Sequence, residues 1–186
     1  MSPLPDASRA PGHTAPGFFD RLRHDHRRVL EQVAELEEEA LGGRRRAARA
    51  LPSDGALHRF AEMLLRQFDT HMAAEDELLF PALLAVMPEA RDSVEPLSAD
   101  HVELRGMLSR LRFLLGEAPS EPRDGQVRVL VADLVDLLRI HIRKEERAVF
   151  RVAQSVLDPA GIEALDAGLA VLELGTARRD DPAGQD

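Results

Sequence analysis

The chain contains no cysteine, no tryptophan and no tyrosine, and Lys144 is its only lysine. Without cysteine there is no disulfide framework, no thiolate metal site and no thiol nucleophile, so any metal must be held by nitrogen and oxygen. Aromatic residues make up 4% of the chain and all are phenylalanine, which leaves no stacking platform for bases. An excess of positive charge is missing too: the net charge of -9 argues against nucleic acid as a partner, because binding the phosphate backbone rests on clustered Lys and Arg. The one basic cluster, Arg44 to Arg46 with Arg49, sits beside Gly42 and Gly43 and reads as a solvated connector. No apolar stretch approaches the roughly 18 uncharged residues of a membrane span. The first seventeen residues are rich in Pro, Gly, Ser and Ala and lack the apolar run of a secretory signal. These absences lead to the expectation of a cytoplasmic protein with neither membrane nor nucleic acid as partner.

What is present is helical periodicity. A chain of 186 residues with 44% hydrophobic and 31% charged residues suits one globular domain. Phe19, Leu22, Val29, Val33 and Leu36 recur at spacings of three, four and seven, predicting a helix from about Pro16 to Leu41 that stops at Gly42-Gly43. A second helix opens near Ser53-Asp54, carries Phe60, Leu64, Phe68 and Met72, and is interrupted by Pro81. A third, about Asp92 to Leu115, places Val94, Leu97, Leu104, Leu108 and Leu111 on one stripe, with Pro96 in its first turn. A fourth runs from near Pro122 to about Leu157 through Val127, Val131, Leu134 and Leu138. Asp158 and Pro159 then open a shorter fifth helix. The expected fold class is all-α, an antiparallel up-down-up-down four-helix bundle with an extra short C-terminal helix. The expected organisation is a disordered leader over 1–15, the bundle over 16–157, the C-terminal helix over 158–175 and a disordered tail over 176–186.

Helical phase sorts the seven histidines. His26 lies four residues after Leu22 and three before Val29, inside the apolar stripe, whereas His24 falls among Asp20, Arg27, Arg28 and Glu31. His71 follows Phe68 by three, and Glu75 follows His71 by four. His101 sits between Leu97 and Leu104. His141 follows Leu138 by three, and Glu145 follows His141 by four. Each long helix thus sends one histidine inward and two also send a glutamate, whereas His58 is out of phase and His13 lies in the leader. A single inward histidine is ordinarily a hydrogen-bonded core residue. Six such groups in a leucine-lined bundle are a different matter, since each costs several kcal/mol of desolvation unless a multivalent cation compensates them. His-x-x-x-Glu spacing puts both side chains on one face, about 6 Å apart. Four nitrogens and two carboxylates, with coordination positions left open, suit redox-active iron; manganese suits it less well, and zinc needs only four ligands for a closed site.

The inward histidine of the first helix, HMAAE on the second, the histidine of DHVEL on the third and HIRKE on the fourth together resemble the hemerythrin family in its bacterial HHE cation-binding branch. The resemblance spans about Pro16 to Leu157. It implies two non-haem iron ions, oxo- or hydroxo-bridged, ligated by His26, His71, Glu75, His101, His141 and Glu145. It also implies a small diatomic or peroxide ligand, with oxygen, peroxide or nitric oxide bound, sensed or consumed. The alternatives are a metal-state-dependent sensor or interaction module, and an iron-holding protein without turnover. Oxygen carriers of the family have a further histidine where this chain has Arg105, and an aspartate where it has Glu145. Ferritin-like oxidases, built on Glu-x-x-His pairs, show the opposite order of ligands.

The register makes a direct prediction. His26→Ala abolishes most metal binding while His24→Ala retains it, as read by metal analysis of the two purified variants; equal loss in both would refute the helical phase.

Overall fold

The computed structural model describes residues 17–42 and 51–180, and within them every regular element is helical. The expected leader, His13, the Arg44–Arg46 and Arg49 cluster and the last six residues lie outside this range. Helix α1 spans Phe18–Gly42. Helix α2 spans Asp54–Ala73 and opens on Ser53, whose side chain accepts a hydrogen bond from the Ala56 amide at 3.2 Å. It runs without a break through a π-helical turn, Ala74–Leu79, into α3, Phe80–Val86. A 3-10 turn at Pro88–Ala90 leads into α4, Arg91–Leu115. Helix α5, Glu121–Lys144, is capped by Ser120 and passes through a second π-turn, Glu145–Val149, into α6, Phe150–Val156. Helix α7 spans Pro159–Asp180, with Asp158 accepting from the Gly161 amide at 2.7 Å.

Three details depart from the sequence expectation. Pro81 does not interrupt its helix. The backbone ladder has already shifted at Phe80, whose N–H bonds to Glu75 O, five residues back, and the widened turn accommodates the ring where a regular turn would meet the preceding carbonyl. Pro96 lies inside α4, which begins at Arg91, and so falls in the second turn and not the first. The fifth helix is not short: α7 continues to Asp180, five residues beyond the expected end at 175. Thr176 anchors this extension, its hydroxyl lying 2.9 Å from Glu173 O and 3.2 Å from the Thr70 hydroxyl on α2.

The apolar core is split in two. One cluster joins Val33 of α1, Phe60 and Leu64 of α2, Leu108 of α4 and Leu134 of α5. The other joins Phe18 and Leu22 of α1, Leu83 of α3, Leu97 of α4, Phe150 of α6 and Leu165 of α7. All six inward polar residues named above are buried between these clusters. Each fully buried Leu or Phe contributes about 1.5–3 kcal/mol, and the two clusters together offset the cost of the polar layer they enclose. Helix α7 closes the second cluster. Gly168 sits so close to Leu78 that a Cβ there would lie 2.9 Å from its methyl carbons, so α7 rests directly on the π-turn that begins beside Glu75. Among the described residues no helix is long and apolar enough to cross a membrane.

Candidate metal centre

Four rods, α1, α2–α3, α4 and α5–α6, each contribute to one buried layer. His26, His71, His101 and His141 are 8% exposed or less, and Glu75 and Glu145 are sealed from solvent. His24 and His58, which the helical phase sets apart, are exposed. In the layer, His26 Nε2 lies 3.0 Å from His71 Nε2, His71 Nε2 lies 3.0 Å from Glu75 Oε1, and His26 Nε2 lies 3.3 Å from Glu145 Oε2. Opposite them, His101 Nε2 lies 3.2 Å from both His141 Nε2 and Glu75 Oε2, and His141 Nε2 lies 3.7 Å from Glu145 Oε2. Two groups emerge: His26, His71, Glu75 and Glu145, and Glu75, His101 and His141. Glu75 belongs to both, with one oxygen toward each.

These distances test whether a metal fits. Ligand bonds of about 2.1 Å at right angles put neighbouring donor atoms roughly 3 Å apart, which is the spacing seen around each group. The donors also lack any other use: both oxygens of Glu75 and both of Glu145 are buried without a hydrogen-bond partner. Buried carboxylates are ordinarily paired, and here the groups facing them are imidazole nitrogens whose lone pairs converge on the same points.

A second set of acids fixes that convergence. Asp25 Oδ2 lies 3.3 Å from His71 Nδ1, Asp76 Oδ1 2.9 Å from His101 Nδ1, and Glu146 Oε1 3.0 Å from His26 Nδ1. Asp100 Oδ2 lies 3.5 Å from His141 Nδ1. The first three acids thereby hold the hydrogen on Nδ1 and leave Nε2 as the donor atom facing the centre, whereas Asp100 stands beside His141 Nδ1 without a hydrogen bond. The contacts close a ring: α1 serves the histidine of α2, the π-turn after α2 serves α4, α4 serves α5, and the π-turn after α5 serves α1. Helical phase alone does not reveal these acids. Their signal is adjacency, since each precedes or follows an inward ligand in Asp25-His26, Glu75-Asp76, Asp100-His101 and Glu145-Glu146.

The two π-turns are equivalent as well. Both begin next to or at the inward glutamate, and in both the following phenylalanine amide bonds back to that glutamate's carbonyl. Phe150 then stacks on His26 at 5.6 Å, and Phe80 on His101 at 5.9 Å. The turn after α5 contains no proline, so proline is not the cause of either. The shared elements are the glutamate and the phenylalanine, and widened turns of this kind concentrate at functional sites. Arg105 stays out of the layer, half-exposed and 3.7 Å from Asp76 Oδ2, and Lys144 reaches Asp100 at 3.6 Å.

Beside His26, His71 and His141 lies a small space, bordered mainly by apolar groups that include Phe68, Leu104 and Leu138. It offers about 20 Å³ to the centre of a water-sized molecule, more than the roughly 10–15 Å³ that one water needs.

Protons stand in for cations when the centre is free of metal. Burial opposes charging of His71, but the Glu75 carboxylate and the bond to Asp25 outweigh it and push the imidazole up to about 10. His101 is likewise raised to about 9 against burial, by Asp76 and Glu75. Burial drives His141 down to about 4, the charge of His101 adding to the effect. Burial, helped by the Glu75 charge, raises Glu145 to about 7. Glu75 is held well below the ordinary carboxylate range despite burial, by His71 and His101.

A helical bundle that converges four imidazoles and two carboxylates on one buried layer is a metal-cation-binding bundle. Residues 17–153 match the family model of the hemerythrin HHE cation binding domain, and the chain belongs to that family. No curated protein and no solved structure matches the chain.

Two predictions follow from this geometry. Asp76→Ala lowers metal affinity about 10–100-fold, the usual effect of losing a carboxylate behind a ligating imidazole, as measured by competition with a chelator. The second concerns pH. In metal-free protein the contributions of His71 and His101 are complete below about 6.5 and are lost as pH rises through about 9 and 10, and that of Glu145 is lost through about 7. His141 acts in the opposite sense, its contribution being lost only as pH falls from about 6.5 toward 4. Between pH 6.5 and 9.5 the metal-free Tm therefore falls, whereas metal binding, which needs deprotonated ligands, strengthens. Parallel melting curves with and without chelator should diverge as pH rises; a constant gap would count against protons and metal sharing the site.

Proposed function

We propose that this chain is a non-haem di-iron protein that binds, senses or consumes a small oxidant, such as oxygen, peroxide or nitric oxide, at a carboxylate-bridged iron pair in the cytoplasm. The observation that carries the reading is the sharing of Glu75 between two donor groups with metal-like spacing. One ion would be held by His26, His71, Glu75 and Glu145, and the other by His101, His141, Glu75 and the nearby Glu145. Iron fits this all-nitrogen-and-oxygen donor set with incomplete protein ligation better than zinc does, and manganese is the second choice. Bound there, an iron pair would supply electron exchange with a small oxidant.

The residues of the chain have separate tasks. Asp25, Asp76 and Glu146 hold the imidazoles of His71, His101 and His26 in one tautomer and make them better donors, and Asp100 places a negative charge beside His141. Phe80 and Phe150 cover His101 and His26 and exclude water from those sides. The space beside His26 and His71 is sized for a guest of two or three atoms. The finer architecture belongs to the same proposal. An antiparallel up-down-up-down arrangement is supported by Glu39, near the end of α1, accepting from Ser53 just before α2, and by Arg123, at the start of α5, donating to Leu114 O near the end of α4.

A metal-state-dependent sensor is the second reading. It is favoured by α7, which lies beyond the matched residues and rests Gly168 against Leu78 in the turn that carries Glu75.

Oxygen carriage is not expected, because Arg105 supplies no further nitrogen to the second group. Reconstituted protein should hold about two irons per chain, as the two donor groups require. Its reduced form should oxidise in air within seconds to minutes on rapid mixing with oxygenated buffer. Oxygen uptake that reverses under vacuum over repeated cycles would sink the proposal in favour of a carrier, and a single tightly held zinc with no iron uptake would remove the iron pair.

A further inference from the structure

We infer that the outer face of α7 is a homodimer interface, on which a second copy of this chain packs its own α7 antiparallel. That face is apolar where a solvated helix would carry charge. Leu165 and Leu169 are buried on the inner side, yet Ala160, Ala164, Ala167, Val171 and Leu174 on the other side are exposed, Val171 by 68% and Leu174 by 64%. A helix that is apolar on all sides is ordinarily buried on all sides. Between Ala164 and Thr176 the only charged residues are Asp166 and Glu173, and α1 engages both: Asp166 accepts from the Phe18 amide, and Glu173 pairs with Arg21. In a chain of which 31% of residues are charged, a long apolar surface stripe marks a contact with another molecule.

The pattern selects the occupant. The five exposed positions recur at spacings of four, three, four and three, the seam of a two-helix contact. They are small in the first half of the helix and large in the second. A parallel copy would set alanine against alanine, leave gaps, and bring Glu163 against its own equivalent. An antiparallel copy, related by a two-fold axis near Leu169, sets Ala164 against Leu174 and Ala167 against Val171, so that small meets large in each layer. Charge agrees with this direction. Glu163, exposed near the start of α7, comes within about one turn of the second copy's helix end, where the sequence places Arg178 and Arg179 before Asp180. A contact between two single helices lies at the small end of stable interfaces, so dimer and monomer exchange at micromolar concentration. Gly168 of the same helix rests on Leu78, and pairing here also braces the turn beside Glu75.

The test is analytical ultracentrifugation of the full chain across micromolar concentrations. The parent should form a dimer, and the double variant Val171→Glu, Leu174→Glu should keep its helicity and raise the dissociation constant at least about a hundredfold, because each carboxylate would be buried against an apolar partner. Since the chain lacks cysteine, single cysteines report the pairing directly and cover the case in which the double variant does not fold. Ala170→Cys stands next to the two-fold axis and should cross-link to its own copy on mild oxidation. Ala160→Cys should not, because its equivalents stand about 27 Å apart along an antiparallel pair at roughly 1.5 Å per residue. A parent that stays monomeric overturns the inference and leaves the face to residues 1–16 of the chain or to a different protein. A dissociation constant that the double substitution leaves within twofold of the parent places the interface elsewhere and overturns it too. So does Ala160→Cys cross-linking as readily as Ala170→Cys, or more so.

Discussion

Two carboxylates with no access to water, and no hydrogen-bond donor other than imidazole within reach, constrain everything else in this molecule. Glu75 and Glu145 cannot be stable as bare charges in a leucine-lined interior. Their presence demands compensating positive charge at the same depth, and the four histidines supply the means of holding it. The division of the apolar core into two clusters, the widened turns beside the glutamates and the stacking of phenylalanine on imidazole all serve to keep this layer in place between two hydrophobic blocks.

The layer is organised as two equivalent halves. Asp25-His26 with His71, Glu75, Asp76 and Phe80 repeats, in the same order of chemistry, as Asp100-His101 with His141, Glu145, Glu146 and Phe150. Each half gives one outer acid to itself and one to the other: Asp25 serves His71 within its half, and Asp76 serves His101 across the divide. The equivalence is broken in two places. Glu75 offers one oxygen to each donor group, whereas Glu145 approaches both histidines with the same oxygen. Glu145 is also the carboxylate whose affinity for a proton is raised, while that of Glu75 is lowered.

Much of this was legible in the sequence because the inward histidines and glutamates obey the same periodicity as the core. His26 shares the phase of Leu22 and Val29, and that of His141 matches Leu138, so helix geometry alone separated them from His24 and His58. The outer acids were not legible in that way. Asp25, Asp76, Asp100 and Glu146 lie beside the apolar stripe, half-buried, and a phase argument assigns such positions to the surface. Their partners sit on neighbouring helices, and pairing across helices is a property of packing that one helix's periodicity does not contain. The continuity of the second rod through Pro81 was hidden for a related reason, since a local rule for proline takes no account of a turn already widened beside a ligand. The extent of α7 was misjudged because the composition of its last turns resembles a tail, and the contact between Thr176 and Thr70 that anchors it is tertiary.

The raised affinities of His71 and His101 for protons give the centre a further property. At neutral pH the metal-free layer holds a proton on each of these two imidazoles, and Glu145 titrates close to the same pH. The positive charge so gained roughly cancels that of the two glutamates. Filling the centre with cations would therefore be an exchange, in which at least two protons leave for the imidazole lone pairs to become available. The positive charge brought in beyond what the inner glutamates neutralise is met by Asp25, Asp76, Asp100 and Glu146. Metal occupancy would thereby be coupled to the acidity of the surroundings, and loading the centre would release acid.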